Sequence, residues 1–329
     1  MMMQGNREQH ARGLALAEQA LALTEREGLT LAGLRLSRGL ASSYALDGRF
    51  ALAQRVMTWA VQELERAGER ERLSDLYISS RWVRDSVLYL SDELDAVLES
   101  GPETYDFAVR GPNRTVQGAA AATLAQAHFI RGRFEDARRW ADVGLDMAEA
   151  INHLLVLPAA ASIALLARLE LGEPADTTRY VDAMDQGLAS AAHMHVNMRF
   201  VGEALLACNE LERAERFAEL LRARPFGGRL REALVGIALG ELMSRFGRLD
   251  EAERWYTEAI ATGEAIGARS SIAAASLGAA ELAAARGEHA TAARSAERAL
   301  GLSRELGLVR YADRAARLTT GDAAVGGRA

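Results

Sequence analysis

Apolar residues recur along the chain at intervals of three and four. The alternation of Val, Ile, Thr and aromatic residues that marks a strand is missing. Helix is therefore the only regular structure that the pattern predicts. The punctuation between apolar stretches repeats as well. Residues 131–140, RGRFEDARRW, are nearly rewritten as FGRLDEAERW at 246–255. The short form of this unit, Gly-Arg-x-x-x-Ala, starts at Gly48, Gly132 and Gly247, with weaker copies at Asp92, Gly172, Asn209 and Gly287. These starts are separated by 44, 40, 40, 37, 38 and 40 residues. A period near 40 holds two helices of about 16 residues, each roughly 25 Å long, plus their turns.

The residue types in the unit have physical roles. Gly, Asn or Asp suits the left-handed backbone that ends a helix, and acids just after it favour the start of the next one. Five residues into the unit the chain is usually Ala (Ala53, Ala137, Ala214, Ala252, Ala292), and seven residues before it the chain tends to be small (Ala41, Ala125, Gly202, Gly240, Ala280). Small residues at these two places let helices approach to roughly 8–10 Å.

Leu239-Gly240, Gly247, Leu249, Ala252, Trp255 and Ala259 carry a pattern that resembles the tetratricopeptide (TPR) repeat family. Ala41-Ser42-Ser43-Tyr44 with Gly48 and Phe50 is similar. The period is nearer 40 than that family's 34, and its proline near the end of the second helix is absent. Longer repeats of this kind look like those in the sensor regions of LuxR-type large ATP-binding regulators and some multidomain cyclases. The resemblance implies an all-α fold, a right-handed α-solenoid of about seven to eight TPR-like helix-turn-helix repeats. The array is expected over residues 1–306, with a partial repeat at 8–30 and an irregular one at 70–117. A capping helix at 307–318, with the stripe Leu308, Tyr311, Ala312, Ala315 and Leu318, and a disordered tail at 319–329 complete the expectation. In the irregular repeat, Gly101-Pro102 is expected to break the second helix and start a short new one. A loop is expected at 222–230 around Pro225 and Gly227-Gly228.

Composition narrows the chemistry. All 39 basic residues are arginine, so a phosphate-binding loop that needs lysine is excluded, as is lysine Schiff-base chemistry. The net charge of −6, with both signs interspersed, argues against nucleic-acid binding. One cysteine, Cys208, excludes an internal disulfide framework and fits a reducing compartment. No apolar run is long enough for a membrane span and the start lacks a signal-type apolar core, so a cytoplasmic location is expected. The Arg, Ala and Gly bias suggests a high-GC bacterial genome.

No catalytic, metal or cofactor site is assigned. His193-Met194-His195 with Met198 has soft-ligand character, but residues two apart on a helix point about 200° apart. Cys208 reads as a small apolar residue. The acid pairs Glu135-Asp136 and Asp250-Glu251 fall at helix starts, where acids are expected for electrostatic reasons alone. The resemblance instead implies a concave groove lined by the first helix of each repeat. Its candidates are Arg35, Arg38 and Ser42, then Trp82, Ser86 and Tyr89, then Gln126, then Arg199 and Glu203, then Glu241 and Glu281. Such a groove is basic and aromatic toward the N-terminus and acidic toward the C-terminus, and Trp82 and Tyr89 are equally placed to serve as core. The expected function is non-enzymatic: binding of a protein or peptide through the concave face. The alternative is the effector-sensing region of a bacterial regulator without its ATPase and DNA-binding parts, which would take a small-molecule effector.

Overall fold

The computed structural model describes residues 2–28, 30–66, 74–111, 113–189, 198–223 and 227–319. Sixteen α-helices and no strand occur among them. In chain order they are α1 (Met2–Arg26), α2 (Thr30–Leu46), α3 (Phe50–Arg66), α4 (Ser74–Leu90), α5 (Leu94–Arg110), α6 (Arg114–Ile130), α7 (Phe134–Ala150) and α8 (Leu157–Glu170). Then come α9 (Thr177–Ala189), α10 (Met198–Ala207), α11 (Leu211–Ala223), α12 (Arg229–Arg245), α13 (Leu249–Ile266), α14 (Arg269–Ala285), α15 (His289–Glu305) and α16 (Val309–Thr319).

The seven turns read from the sequence are the seven turns inside the helix pairs α2–α3 to α14–α15. Gly48, Asp92, Gly132, Gly172, Asn209, Gly247 and Gly287 all have positive φ, from 57° to 79°. In each turn the N–H of the following residue donates to a carbonyl five residues back, from Arg49 to Tyr44 through to Glu288 to Ala283, at 2.8–3.0 Å. This bond closes the last turn of the first helix and satisfies one of its open carbonyls. The repeated motif is therefore a joint. Gly247 turns the chain, Asp250 and Glu251 open α13, and Ala252 is fully buried against the neighbouring helix.

Even-numbered and odd-numbered helices differ in how they bury themselves. α6 buries Ala119–Ala122 and Leu124–Ile130, nearly its whole circumference. α13 buries only Ala252, Tyr256, Ala259 and Gly263, one stripe at helical spacing. The even helices from α2 to α16 touch one another in an unbroken series and form the inner layer; the odd ones cover it. The inner layer also meets itself, α2 beside α12 and α6 beside α16, five repeats further on. One superhelical turn thus takes roughly five repeats. Close backbone approach makes this possible: Gly228, with φ 100°, leaves no room for a Cβ, which would stand 2.6 Å from the carbonyl oxygen of Leu46. No helix among the described residues is long and apolar enough to cross a membrane.

One expectation is corrected. α5 runs unbroken through Pro102. The missing N–H costs one helical bond. Packing against α4 and α6 holds the helix together. The His193-Met194-His195 cluster, the Met198 side chain, Pro112, Pro225 and residues 320–329 of the tail lie outside the described residues.

Candidate functional site

The inner layer carries acids at one equivalent position, six residues before the turn, on three successive even helices: Glu203 on α10, Glu241 on α12 and Glu281 on α14. Equal register on stacked helices brings them to one place. They line a cavity of about 330 Å³ together with Leu206, Ser244, Arg245, Leu249, Tyr256, Leu282 and Arg314.

α16 supplies the counter-charge. Arg310 is 7% exposed, and its Nε donates to Glu170 on α8 at 2.8 Å while both terminal nitrogens reach Glu203. Its guanidinium carbon lies 4.6 Å from the centre of the Phe129 ring on α6. One arginine thereby ties four inner helices across the superhelix. Arg314, one helical turn on, takes Glu281 in a forked arrangement, Nη2 donating to both carboxylate oxygens at 2.9 and 3.0 Å, and its Nη1 reaches Glu203 at 3.4 Å. Burial works against charge on both arginines. The carboxylates outweigh it, Glu203 foremost for Arg310 and Glu281 foremost for Arg314, so both are held above the ordinary guanidinium range.

The wall of the cavity is built through the inner layer from outside. Tyr256 belongs to the outer helix α13, yet its ring wedges between α12 and α14 and is only 2% exposed. Gly240 and Gly278 make the space: a Cβ on either would stand 2.5 or 2.4 Å from the ring.

The other candidates are dispersed. Arg35 is exposed and Arg38 and Ser42 are half-buried on α2; burial, then Arg35, lowers Arg38 from its usual range. Trp82 packs against all three apolar clusters among the described residues. Ser86 donates to the Trp82 carbonyl at 3.0 Å. Tyr89 lines a separate space of about 50 Å³ between superhelical turns, with Phe200, Leu308 and Tyr311. Gln126 is buried at 3% exposure, and the Arg199 side chain lies outside the described residues. Of the eleven candidates, the structure brings Glu203, Glu241 and Glu281 to one cavity. The N-terminal basic and aromatic residues do not join them.

Residue-by-residue reading missed Arg310, Arg314 and Tyr256. The signal for the arginines was present: they sit four apart, beside Tyr311 and Ala315 of the stripe read in α16. Of the acids at the helix starts, Asp136 pairs within its own helix, with Arg139 at 2.9 Å, while Asp250 and Glu251 hold arginines from beyond theirs. Asp250 pairs with Arg286 at 2.7 Å and Glu251 with Arg222 at 2.6 Å. Burial would raise Glu251, but Arg222 and then Arg248 hold it below the usual carboxylate range. Cys208 is half-buried, and burial followed by Glu210 pushes its thiol up, away from the thiolate form.

Against known proteins, a crystal structure of a Rap protein complexed with competence and sporulation factor aligns with a TM-score of 0.58. It is 14% identical, and the alignment covers 89% of this chain and 83% of that one. The fold is a TPR-like helical repeat. A crystal structure of yeast Tom70 aligns over 94% of this chain and 89% of that one at 11% identity, but its TM-score of 0.33 carries no argument. No protein-family model and no curated protein matches the chain.

Proposed function

We propose that the protein is a non-enzymatic helical-repeat scaffold that binds a protein or peptide segment through its inner face, at the cavity between α10, α12, α14 and α16. The observation that carries this reading is the convergence of three repeat-equivalent carboxylates on a space of about 330 Å³ with apolar walls. That volume lies at the low end of ligand sites and suits one or two side chains. The fold neighbour named as complexed with a competence and sporulation factor supports a binding role for this kind of array.

A photo-crosslinking amino acid tests the reading when placed at Ser244, on the cavity, and in parallel at Glu258, exposed on α13. Crosslinked partner peptides are expected from position 244 and not from 258. Equal yields from both positions, or none from 244, overturn the reading. The cavity's size also favours a second reading, an effector-sensing region of a bacterial regulator in which a small molecule occupies the same space. A thermal-shift screen with a metabolite library then gives a hit that Leu282→Trp abolishes; a flat response removes this reading.

A further inference from the structure

The array begins on an outer helix. Among the described residues no inner helix precedes α1, so the place in the inner layer before α2 is empty. Register shows what that place receives elsewhere. Aligned on the left-handed glycines that follow them, Gly28 and Gly267, α1 matches α13. Gly13, Leu16, Ala20 and Leu23 then match Ala252, Trp255, Ala259 and Thr262. Ala252 and Ala259 are buried, and a Cβ on Gly236 of α12, the inner helix that precedes α13, would stand 3.2 Å from Ala259. Aligned on Gly48 and Gly247, Leu36, Gly39 and Ser43 of α2 match Val235, Ala238 and Leu242. These three are buried on α12, where Leu242 faces Gly202 of α10. In α1 and α2 the same positions are open. Leu16, Leu23 and Leu36 are 60%, 46% and 37% exposed, and a Cβ on Gly13 or Gly39 meets nothing within 4 Å. We propose that this slot receives an amphipathic helix of a partner protein, with small and apolar residues toward α1 and α2 and acids along the edge that meets Arg35 and Arg38.

Three observations fix the class of occupant. First, the slot has the shape of a helix. Its lining mixes large and small side chains at spacings of three and four, Gly13, Leu16, Ala20 and Leu23 on α1 and Leu36, Gly39 and Ser43 on α2. Such a surface admits the ridges of another helix at roughly 8–10 Å. An extended segment would bring unpaired backbone N–H groups to an apolar wall. Second, the two ends of the array differ. At the C-terminal end α16 exposes Asp313, Arg317 and Thr319 beside Val309, the kind of polar cap that a repeat array needs. The N-terminal end exposes leucines instead, and an apolar surface of this kind marks a docking site. Third, α2 carries no acid, and its charges are Arg35 and Arg38. Arg35 stands beside Leu36 and one turn before Gly39, while Arg38 Nε is buried with no hydrogen-bond partner. Nearby acids are taken: Glu18 accepts from Tyr44 and Arg49, and Glu27 from Arg26. Carboxylates on the incoming helix therefore meet guanidiniums open to them. A second copy of this chain would bring its own Arg35 and Arg38 to the same edge, so charge favours an acidic partner over self-association.

The test uses the intact chain and a fluorescein-labelled peptide as long as α2, with an Ala/Leu stripe at helical spacing flanked by glutamates. One control peptide carries arginines in place of the glutamates. Another has the same residues shuffled off the helical spacing. Fluorescence anisotropy is expected to show binding of the acidic form, with the arginine form weaker by about tenfold or more and the shuffled form not bound. Gly39→Leu fills the slot where a Cβ meets open space, and it removes a glycine from a helix interior. It should keep the fold and weaken binding by about tenfold or more. Gly301→Leu, at an equally open glycine on α15, should leave binding unchanged. Arg35→Glu should reverse the preference between the acidic and arginine forms. Equal binding of the acidic and shuffled peptides, or no binding of the acidic one, overturns the proposal. So does a dimer in sedimentation equilibrium that Gly39→Leu dissociates, which would put a second copy in the slot. The slot shares no lining residue with the cavity, so this proposal and the scaffold reading can fail separately.

Discussion

Two repeats of this array solve the same packing problem in opposite ways. At the place seven residues before the turn, α12 carries Gly240, and the apolar ring of Tyr256 fills the space beside it. At the same place α4 carries Asp85, which is 2% exposed. Twelve residues after the turn, where α13 has Ala259, α5 has the fully buried Thr104. The irregular repeat therefore joins its two helices by a polar network. Thr104 Oγ1 donates to Asp85 at 2.6 Å, Ser100 Oγ donates to the other oxygen at 2.7 Å, and Arg81 Nε reaches Thr104 at 3.3 Å. Arg81, 4% exposed, also donates to Tyr77 at 3.1 Å and to Glu103 at 2.6 Å. A buried network is tolerated when each member finds partners, and it demands one geometry, whereas shape-filling by a ring tolerates small adjustments. Small residues let the two helices of a repeat approach at these places, and a polar pair can replace them at a cost in desolvation.

The largest expected effect is on the ring. Tyr256→Ala should lose about 3–5 kcal/mol of stability, as buried aromatic truncations do, measured by chemical denaturation. Gly278→Ala follows. It gains up to about 1 kcal/mol of helix propensity, but its new methyl would stand 2.4 Å from the ring, and overpacking costs roughly 1–3 kcal/mol. A net loss is expected. In the Tyr256→Ala background the same change should become neutral or stabilising, and strict additivity of the two would sink the wedge description.

On the polar side, Asp85→Ala removes the carboxylate that joins α4 to α5, leaving the Ser100 and Thr104 hydroxyls only carbonyls of their own helix, and should cost about 1–3 kcal/mol. Asp85→Ala with Thr104→Ala restores the small-residue pattern of the repeats that turn at Gly48, Gly132, Gly247 and Gly287, and should be more stable than the sum of the single changes. A double variant as unstable as the sum would show that the network is not what joins α4 to α5. The turn of this repeat has a second role. Asp92 stands where five of the seven turns have glycine, and its carboxylate accepts the Ser270 N–H at 3.0 Å, capping α14 from five repeats away. Asp92→Gly suits the turn's positive φ but removes the cap, and a net loss of about 0.5–2 kcal/mol is expected in thermal melts.

The smallest effect is on pH. Burial, only partly offset by Thr104 and Ser100, raises the Asp85 carboxyl above the usual range. A carboxyl that binds its proton more tightly folded than unfolded contributes stability below its ordinary value. That contribution is lost as pH rises through the raised one. The melting temperature of Asp85→Asn relative to wild type should therefore increase as pH rises out of the ordinary carboxylate range; a constant difference would count against the raised value.

Much of this architecture is legible in the chain because its rules are local. Left-handed turns need Gly, Asn or Asp, helix starts favour acids, and close helices need small side chains, so seven turns and the buried Ala53, Ala137 and Ala252 could be read by register alone. Pro102 misled for the same reason: its local preference for a break is real, and packing overrode it. The candidate site was legible only in part. Glu203, Glu241 and Glu281 follow from the repeat register. The pairing of Glu203 with Arg310 does not, since that contact joins segments that no periodicity relates.

The sequence by itself determined the helical class, the turn positions and the inner face, because each depends on residues within one period. Only the tertiary structure decided that the superhelix returns on itself after roughly five repeats. That return sets Arg310 between Glu170 and Glu203, 140 and 107 residues away in the chain, over Phe129, and it sets Asp92 on α14. The pitch of a solenoid is a sum of small rotations, one per repeat, and small irregularities in several repeats change where the ends meet. The place where distant charges come together is therefore a property of the whole array and of no single stretch of it.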